Sequence, residues 1–184
     1  KDDNSYFHVY PSLHLGYTLS QTQTLTANYS KRVQRPQVQD LNPYPVYQDP
    51  RNFFAGNPDL KPQITDSYEL GYQYRKGPAS YLATLYYRES RDGVTSVVRN
   101  LGDGVFLTTR ENLAKSRNGG LELVANGKLT PKLSYNVSGN AFWNEIQSTT
   151  PGVAGTREGT TLTGRASLSW QATPKDFFQL NGFT

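Results

Sequence analysis

Residues 7–20 read FHVYPSLHLGYTLS, with Phe7, Val9, Pro11, Leu13, Leu15, Tyr17 and Leu19 on one parity and His8, Tyr10, Ser12, His14, Gly16, Thr18 and Ser20 on the other. A period of two sustained over this length is the signature of a β-strand with one apolar and one polar face. Strands of soluble sandwiches usually stop after about five or six residues, whereas a tilted membrane-crossing strand needs about nine to eleven. Pro11 interrupts the pattern, because it has no N–H to give a ladder, and so predicts a bulge or an unpaired position.

The pattern recurs along the chain. Leu25, Ala27, Tyr29 and Val33 oppose Thr26, Asn28, Ser30 and Arg32; Tyr68, Leu70, Tyr72 and Tyr74 oppose Ser67, Glu69, Gly71, Gln73 and Arg75. Further runs follow at Tyr81–Arg88, Leu121–Asn126, Leu133–Asn144 and Leu162–Gln171, and one begins at Phe178, which makes about eight strands. Short links (21–23, 76–79, 127–132 and 172–176) alternate with long ones (34–62, roughly 90–117, and 146–159). Tight turns at one end and long loops at the other, joining strands of alternating polarity, are the pattern of an outer-membrane barrel. Tyr135 and Trp143 share the apolar face of one strand, eight residues apart. At a rise of ~3.4 Å and a tilt of ~45° this is close to 20 Å of height, near the spacing of two interfacial aromatic girdles. Trp170, Tyr74 and Tyr81 sit beside short turns, where one girdle belongs.

Composition agrees. In 184 residues, hydrophobic side chains make up 35% and mean hydropathy is -0.66, yet aromatics reach 12%, with 13 Tyr. Disordered chains lack aromatics, and no apolar run is long enough for a spanning helix. The absence of Cys removes disulfide scaffolds and thiolate chemistry. The net charge of +4 is scattered, with no basic run of the kind that nucleic-acid binding leaves. Without Met, and with Lys1-Asp2-Asp3 at its start, the chain reads as a processed or internal segment.

No catalytic set emerges. His8 and His14 share a face but stand about 20 Å apart along a strand, too far for one metal ion. GxSxG, HExxH and phosphate-binding glycine loops are missing. The reading is therefore not an enzyme, with no cofactor. Glu69, Arg75, Arg88, Glu122 and Arg165 fall on the polar parity, as a lumen lattice or a contact surface. The proline-rich stretch RPQVQDLNPYPVYQDPRNFFAGNPDLKP (35–62), with Pro at 36, 43, 45, 50, 58 and 62, forbids a helix and stiffens the loop. Its Tyr44, Tyr47, Phe53 and Phe54, with Arg51 and Asn52 between them, suit stacking on sugars or chelates and hydrogen bonding to anionic groups. Loop packing without ligand contact is the competing reading of the same residues.

YSKRVQRPQVQDLNP (29–43), GNPDLKP (56–62) and SYELGYQY (67–74), in this order, resemble the barrel of TonB-dependent outer-membrane receptors. Gln63 stands where that family usually has Glu, and NGGLELVAN (118–126) resembles the strand that precedes its last hairpins. The resemblance implies that residues 1–184 are an all-β, antiparallel, up-and-down transmembrane barrel domain in part, about eight of 22 strands. The plug domain and the TonB box would lie elsewhere in the receptor. It also implies a place in the bacterial outer membrane, with lipid, plug, the TonB complex and an imported siderophore, metal complex or carbohydrate as partners. Two alternatives stand beside it: a complete eight-stranded outer-membrane barrel serving adhesion or tethering, and a soluble barrel that binds a small apolar ligand.

Overall fold

The alternating runs form strands whose register keeps every apolar parity on one side. The computed structural model describes residues 9–148 and 155–184. In chain order its elements are β1 (Ser12–Ser20), β2 (Gln23–Gln34), a single helical turn α1 (Val38–Leu41), β3 (Val46–Asp49), β4 (Asn52–Phe54), β5 (Gln63–Lys76), β6 (Ala79–Gly102), β7 (Val105–Thr130), β8 (Leu133–Ser148), β9 (Gly155–Gln171) and β10 (Phe177–Phe183). Eight strands make the wall, in the order β1-β2-β5-β6-β7-β8-β9-β10, each antiparallel to its neighbour. β1 and β10 are the two edges, and the sheet is open among the described residues.

Register fixes the faces. One row runs Leu15, Ala27, Leu70, Leu85, Leu121, Ala141, Leu162 across seven strands. The opposite face carries the row His14, Asn28, Glu69, Tyr86, Gly120, Phe142, Thr161. Side-chain bonds respect this division: Arg88 reaches Glu69 at 3.1 Å and Tyr86 O–H donates to Asn140 Oδ1 at 3.2 Å on the polar face. Tyr29 O–H donates to Asp66 at 2.8 Å and Tyr81 meets Tyr135 at 2.8 Å on the apolar face. A shift of one residue would exchange the two faces, so the pattern itself pins the register.

The wall has no core of its own. Ala55 and Leu60, both in the segment between β2 and β5, are the buried apolar residues among those described, while Leu13, Leu15, Leu70, Leu85, Leu123, Leu162 and Leu180 are exposed. A soluble protein does not leave so continuous an apolar surface in water; a barrel wall turns it toward lipid and the polar side inward.

Four expectations change. The link at 90–117 is an ordered arm, because β6 and β7 continue through it to a two-residue turn at Asp103-Gly104. Both turn residues have positive φ, +51° and +74°, as a type I′ hairpin requires and as Asp-Gly favours. The sheet has ten strands rather than eight, since the proline-rich segment contributes β3 and β4, and β4 joins β7 in parallel. Prolines do not forbid every helix: α1 fits in the interval between Pro36 and Pro43. Pro11 lies just before β1, outside the strand and without a bulge, one of the two outcomes expected of it, and its carbonyl accepts Lys31 N–H at 3.0 Å. β8 and β9 also continue beyond their expected ends, leaving of the 146–159 link only 149–154, which lie outside the described residues, as do Phe7 and His8.

Candidate functional site

The segment between β2 and β5 is a strap. β5 lies on the side of β6 away from β7, whereas β4 pairs with β7 on the side away from β6, through Asn52–Phe106, Phe53–Leu107 and Phe54–Thr108. The chain must therefore cross one face of the β6–β7 arm between these points. Gly56 makes the crossing possible, since a Cβ there would lie 2.5 Å from the Asp40 carbonyl oxygen and 2.7 Å from that of Asn42. Those carbonyls accept the N–H groups of Asn57 and Gly56, at 2.6 and 2.7 Å. Asn57 donates its side-chain amide to the Arg110 carbonyl at 3.1 Å, and its oxygen accepts Asp59 N–H. Asn112 of β7 holds the backbone of Lys61 at both ends, accepting its N–H at 2.7 Å and donating to its carbonyl at 2.9 Å. Arg110 donates to Asp40 at 3.1 Å. Thus GNPDLKP is the segment by which the strap is tied to the arm, with Leu60 buried beneath it.

At the free end of the strap lie the residues singled out from sequence. Tyr47 and Phe53, cross-strand partners on β3 and β4, have ring centroids 4.6 Å apart. Phe54, the next residue of β4, points to the other face of that strand and is half-buried. Asn52 donates its amide to both carboxylate oxygens of Asp49, at 3.0 and 2.8 Å, and so locks the β3–β4 turn. Arg51 contributes its backbone N–H to Asp49 at 2.8 Å and its carbonyl to Phe106 N–H at 2.8 Å, and its side chain lies near Gly104 at the arm tip. Tyr44 stands apart and is 76% exposed, with its N–H on Asn42 Oδ1. The structure therefore gathers Tyr47, Arg51, Asn52 and Phe53 at one hairpin beside the arm tip and leaves Tyr44 outside it.

Asp49, Asp40, Asn57, Arg110 and Asn112 escaped the reading of the sequence. Asp49 carried a local signal, an Asp two and three residues before the amides it caps. Asn112 carried none, because its partner lies 51 residues away. The Asp49 carboxyl is held below its ordinary range, first by the Arg51 backbone N–H and then by the Asn52 side-chain amide.

Below the arm, the inner face is cationic. Arg32, Arg75, Arg88, Lys128, Arg157 and Arg165 stand there against Glu69 and Glu122. Of the six cations, Arg88 alone has an ion-pair partner among the described residues. Its guanidinium also lies 5.0 Å from the Tyr86 ring centroid. His14 bonds to Asn28 rather than facing other metal-ligating side chains. Among the described residues no group of three or more His, Cys, Asp or Glu is placed to hold a metal ion.

Comparison with known proteins places this geometry. The structure is similar to the siderophore receptor PirA from Pseudomonas aeruginosa, at 17% identity and a TM-score of 0.64, covering 90% of this chain and 36% of that one. It is similar to the FrpB iron transporter from Neisseria meningitidis, at 15% identity and a TM-score of 0.72, covering 95% and 26%. The copper transporter OprC matches at 19% identity and a TM-score of 0.62, covering 88% and 24%. The chain thus spans about a quarter to a third of the length of these structures. No curated protein matches the sequence. The model of the outer membrane protein beta-barrel family matches residues 1–184. An open wall with one apolar and one polar face, cut to part of the length of its structural neighbours, is what a fragment of such a barrel presents, and this chain belongs to the outer membrane protein beta-barrel family of the bacterial outer membrane.

Proposed function

We propose that residues 1–184 are the barrel wall, arm and strap of a TonB-dependent receptor that imports a scarce metal complex. The observation that carries the reading is the strap. A tilted pair of aromatic rings and an arginine are presented on a hairpin braced to a long β-arm, at the long-loop end of a polar, cation-rich inner wall. A binding loop on a rigid scaffold loses less conformational freedom when it takes up a ligand than a loose loop does. The similar folds that carry siderophores, iron and copper support a metal-complex cargo. The plug domain and the TonB contact belong to other parts of the same receptor, and the wall strands serve as passive structure while the plug moves.

The complete eight-stranded barrel is the weaker reading, because closure needs a β1–β10 ladder and the sheet order ends at both strands. The test is Tyr47→Ala with Arg51→Ala in the full-length receptor, assayed for binding of radiolabelled ferric siderophores and copper complexes. Binding of the cognate complex should fall at least tenfold while the amount of folded, heat-modifiable barrel stays constant. Equal binding by variant and parent would remove these residues from the ligand site.

A further inference from the structure

Above the wall, β3, β4, β7 and the upper half of β6 make a small sheet of their own. One register row crosses it: Tyr47, Phe53, Leu107 and Arg99. Three strand spacings of ~4.8 Å make this row about 14 Å long. Arg110 and Asn112, which hold Asp40 and Lys61 of the strap, have the opposite parity on β7. The strap therefore crosses the other face and leaves this one open.

The open face continues the inner face of the wall. The β6–β7 register is offset twice, by an extra residue on β6 between Ser90 and Gly93 and by one on β7 between Ala114 and Asn112. Each extra residue puts the alternation of its strand out of step by one. Below the offsets, Arg88 and Ser90 pair with Asn118 and Ser116 on the polar inner face. Above them, that side passes to Thr95, Val97 and Arg99 of β6 and to Glu111, Thr109 and Leu107 of β7.

Arg99 is the charge that this face presents. Its guanidinium is bonded through Nη2 to Glu111 of β7. The arginine side chain is 60% exposed and that of the glutamate 22%, so the cation covers the anion. The bond to Glu111 fixes the direction of the guanidinium, and Nε and Nη1 have no protein partner among the described residues. On the wall beneath, Arg32, Arg157 and Arg165 of the same face keep the positive sign. An oriented, exposed guanidinium beside two aromatic rings is complementary to a bulky anion that carries flat groups.

We infer that Arg99 selects the charge of the cargo, and that the site on strap and arm takes metal complexes of net negative charge bearing planar groups. The inference rests on the ligand role proposed for the Tyr47 and Phe53 hairpin and adds to it a residue and a substrate class. The rings take the planar groups, and the Nε–H and Nη1–H groups of Arg99 donate to anionic oxygen in the plane that Glu111 sets. With an uncharged complex of the same shape only the rings act at full strength.

The test uses the full-length protein and two iron(III) probes of similar size, a tripodal tris(catecholate) complex, which is trianionic, and a tripodal tris(hydroxamate) complex, which is uncharged. Equilibrium dialysis reads both affinities, and heat-modifiable migration reports that each variant is folded. The parent should prefer the charged probe. Arg99→Gln should weaken that probe about tenfold, the loss of a charge-assisted bond, with a much smaller loss for the uncharged probe. Glu111→Gln keeps an acceptor for the guanidinium and removes the opposing charge, so it should tighten the charged probe several-fold. A merely structural pair would instead give weaker binding of both probes in both variants. No preference in the parent, parallel losses in Arg99→Gln, weaker charged binding in Glu111→Gln, or binding of neither probe overturns the inference. Tyr47→Ala separates it from the reading beneath: loss of both probes there, without discrimination in Arg99→Gln, keeps the hairpin as ligand site and removes Arg99, whereas undiminished binding of both removes hairpin and inference together.

Discussion

Single residues set the geometry of the strap, and their chemistry predicts how it fails. Asp49 is a carboxylate stabilised by Arg51 N–H and the Asn52 amide, with its pKa lowered on folding. A depressed folded value means that the stabilisation is fully present above the ordinary carboxylate pKa of about 3.9 and is lost as pH falls through the lowered value. The protection of the Asn52 amide, its exchange rate relative to the unfolded rate at the same pH, should accordingly be high at neutral pH and fall as pH drops below about 3.9; an Asp49→Ala variant should lack that protection at every pH. Asn112 grips both backbone polar groups of Lys61. Asn112→Ala would hand them to water at a local cost of about 0.5–1.5 kcal/mol. The expected readout is faster proteolysis between residues 38 and 60 in the full-length protein, with the barrel still heat-modifiable. Gly56→Ala should act in the same direction and more strongly, because its Cβ meets backbone oxygen rather than a movable side chain.

Elements obey the two-faced rule. Leu85 and Thr84 are sequence neighbours on opposite faces of β6, paired with Leu121 and Glu122 of β7. Leu85→Arg places charge against hydrocarbon and should lower barrel stability by about 2–4 kcal/mol. Thr84→Arg, facing the polar side opposite Glu122, should change it little. Urea titration of the refolded full-length protein distinguishes the two, and equal losses would mean that the faces are assigned the wrong way round. At the arm tip, Asp103 and Gly104 hold positive φ. Gly104→Val should fray the top of β6 and β7 and loosen β4, whose parallel partners begin at Phe106. Strap and arm therefore act as one unit, in which α1, β3 and β4 depend on a hairpin far from them in the chain.

Over the whole molecule, the missing core explains the composition. Each strand residue that faces lipid has a neighbour facing the polar lumen, so hydrophobicity stays at 35% while the outer face is continuous apolar surface. Among the described residues the edges at β1 and β10 have no further strand paired to them, an arrangement that lipid does not tolerate. Residues 1–184 expressed alone should aggregate on removal of denaturant and give no heat-modifiable band. A monodisperse, detergent-independent monomer would contradict the membrane assignment of the outer face.

What sequence alone determined was everything governed by period and local turn chemistry. The alternation between Leu13 and Ser20 or between Leu133 and Asn144 gave the strands and which residues share a face, since a one-residue slip would mix apolar and polar side chains; the register itself, open to even shifts, came from the ladder. The Asp103-Gly104 turn carried a local signal that went unread, because strand length judged from the membrane span alone makes the stretch around it a loop. Tertiary structure decided what depends on distant partners. Asn112 and Lys61, Arg110 and Asp40, and β4 and β7 meet across 50 to 70 residues of chain. No local periodicity records such a meeting, because its energy comes from backbone groups satisfied only after the arm has formed.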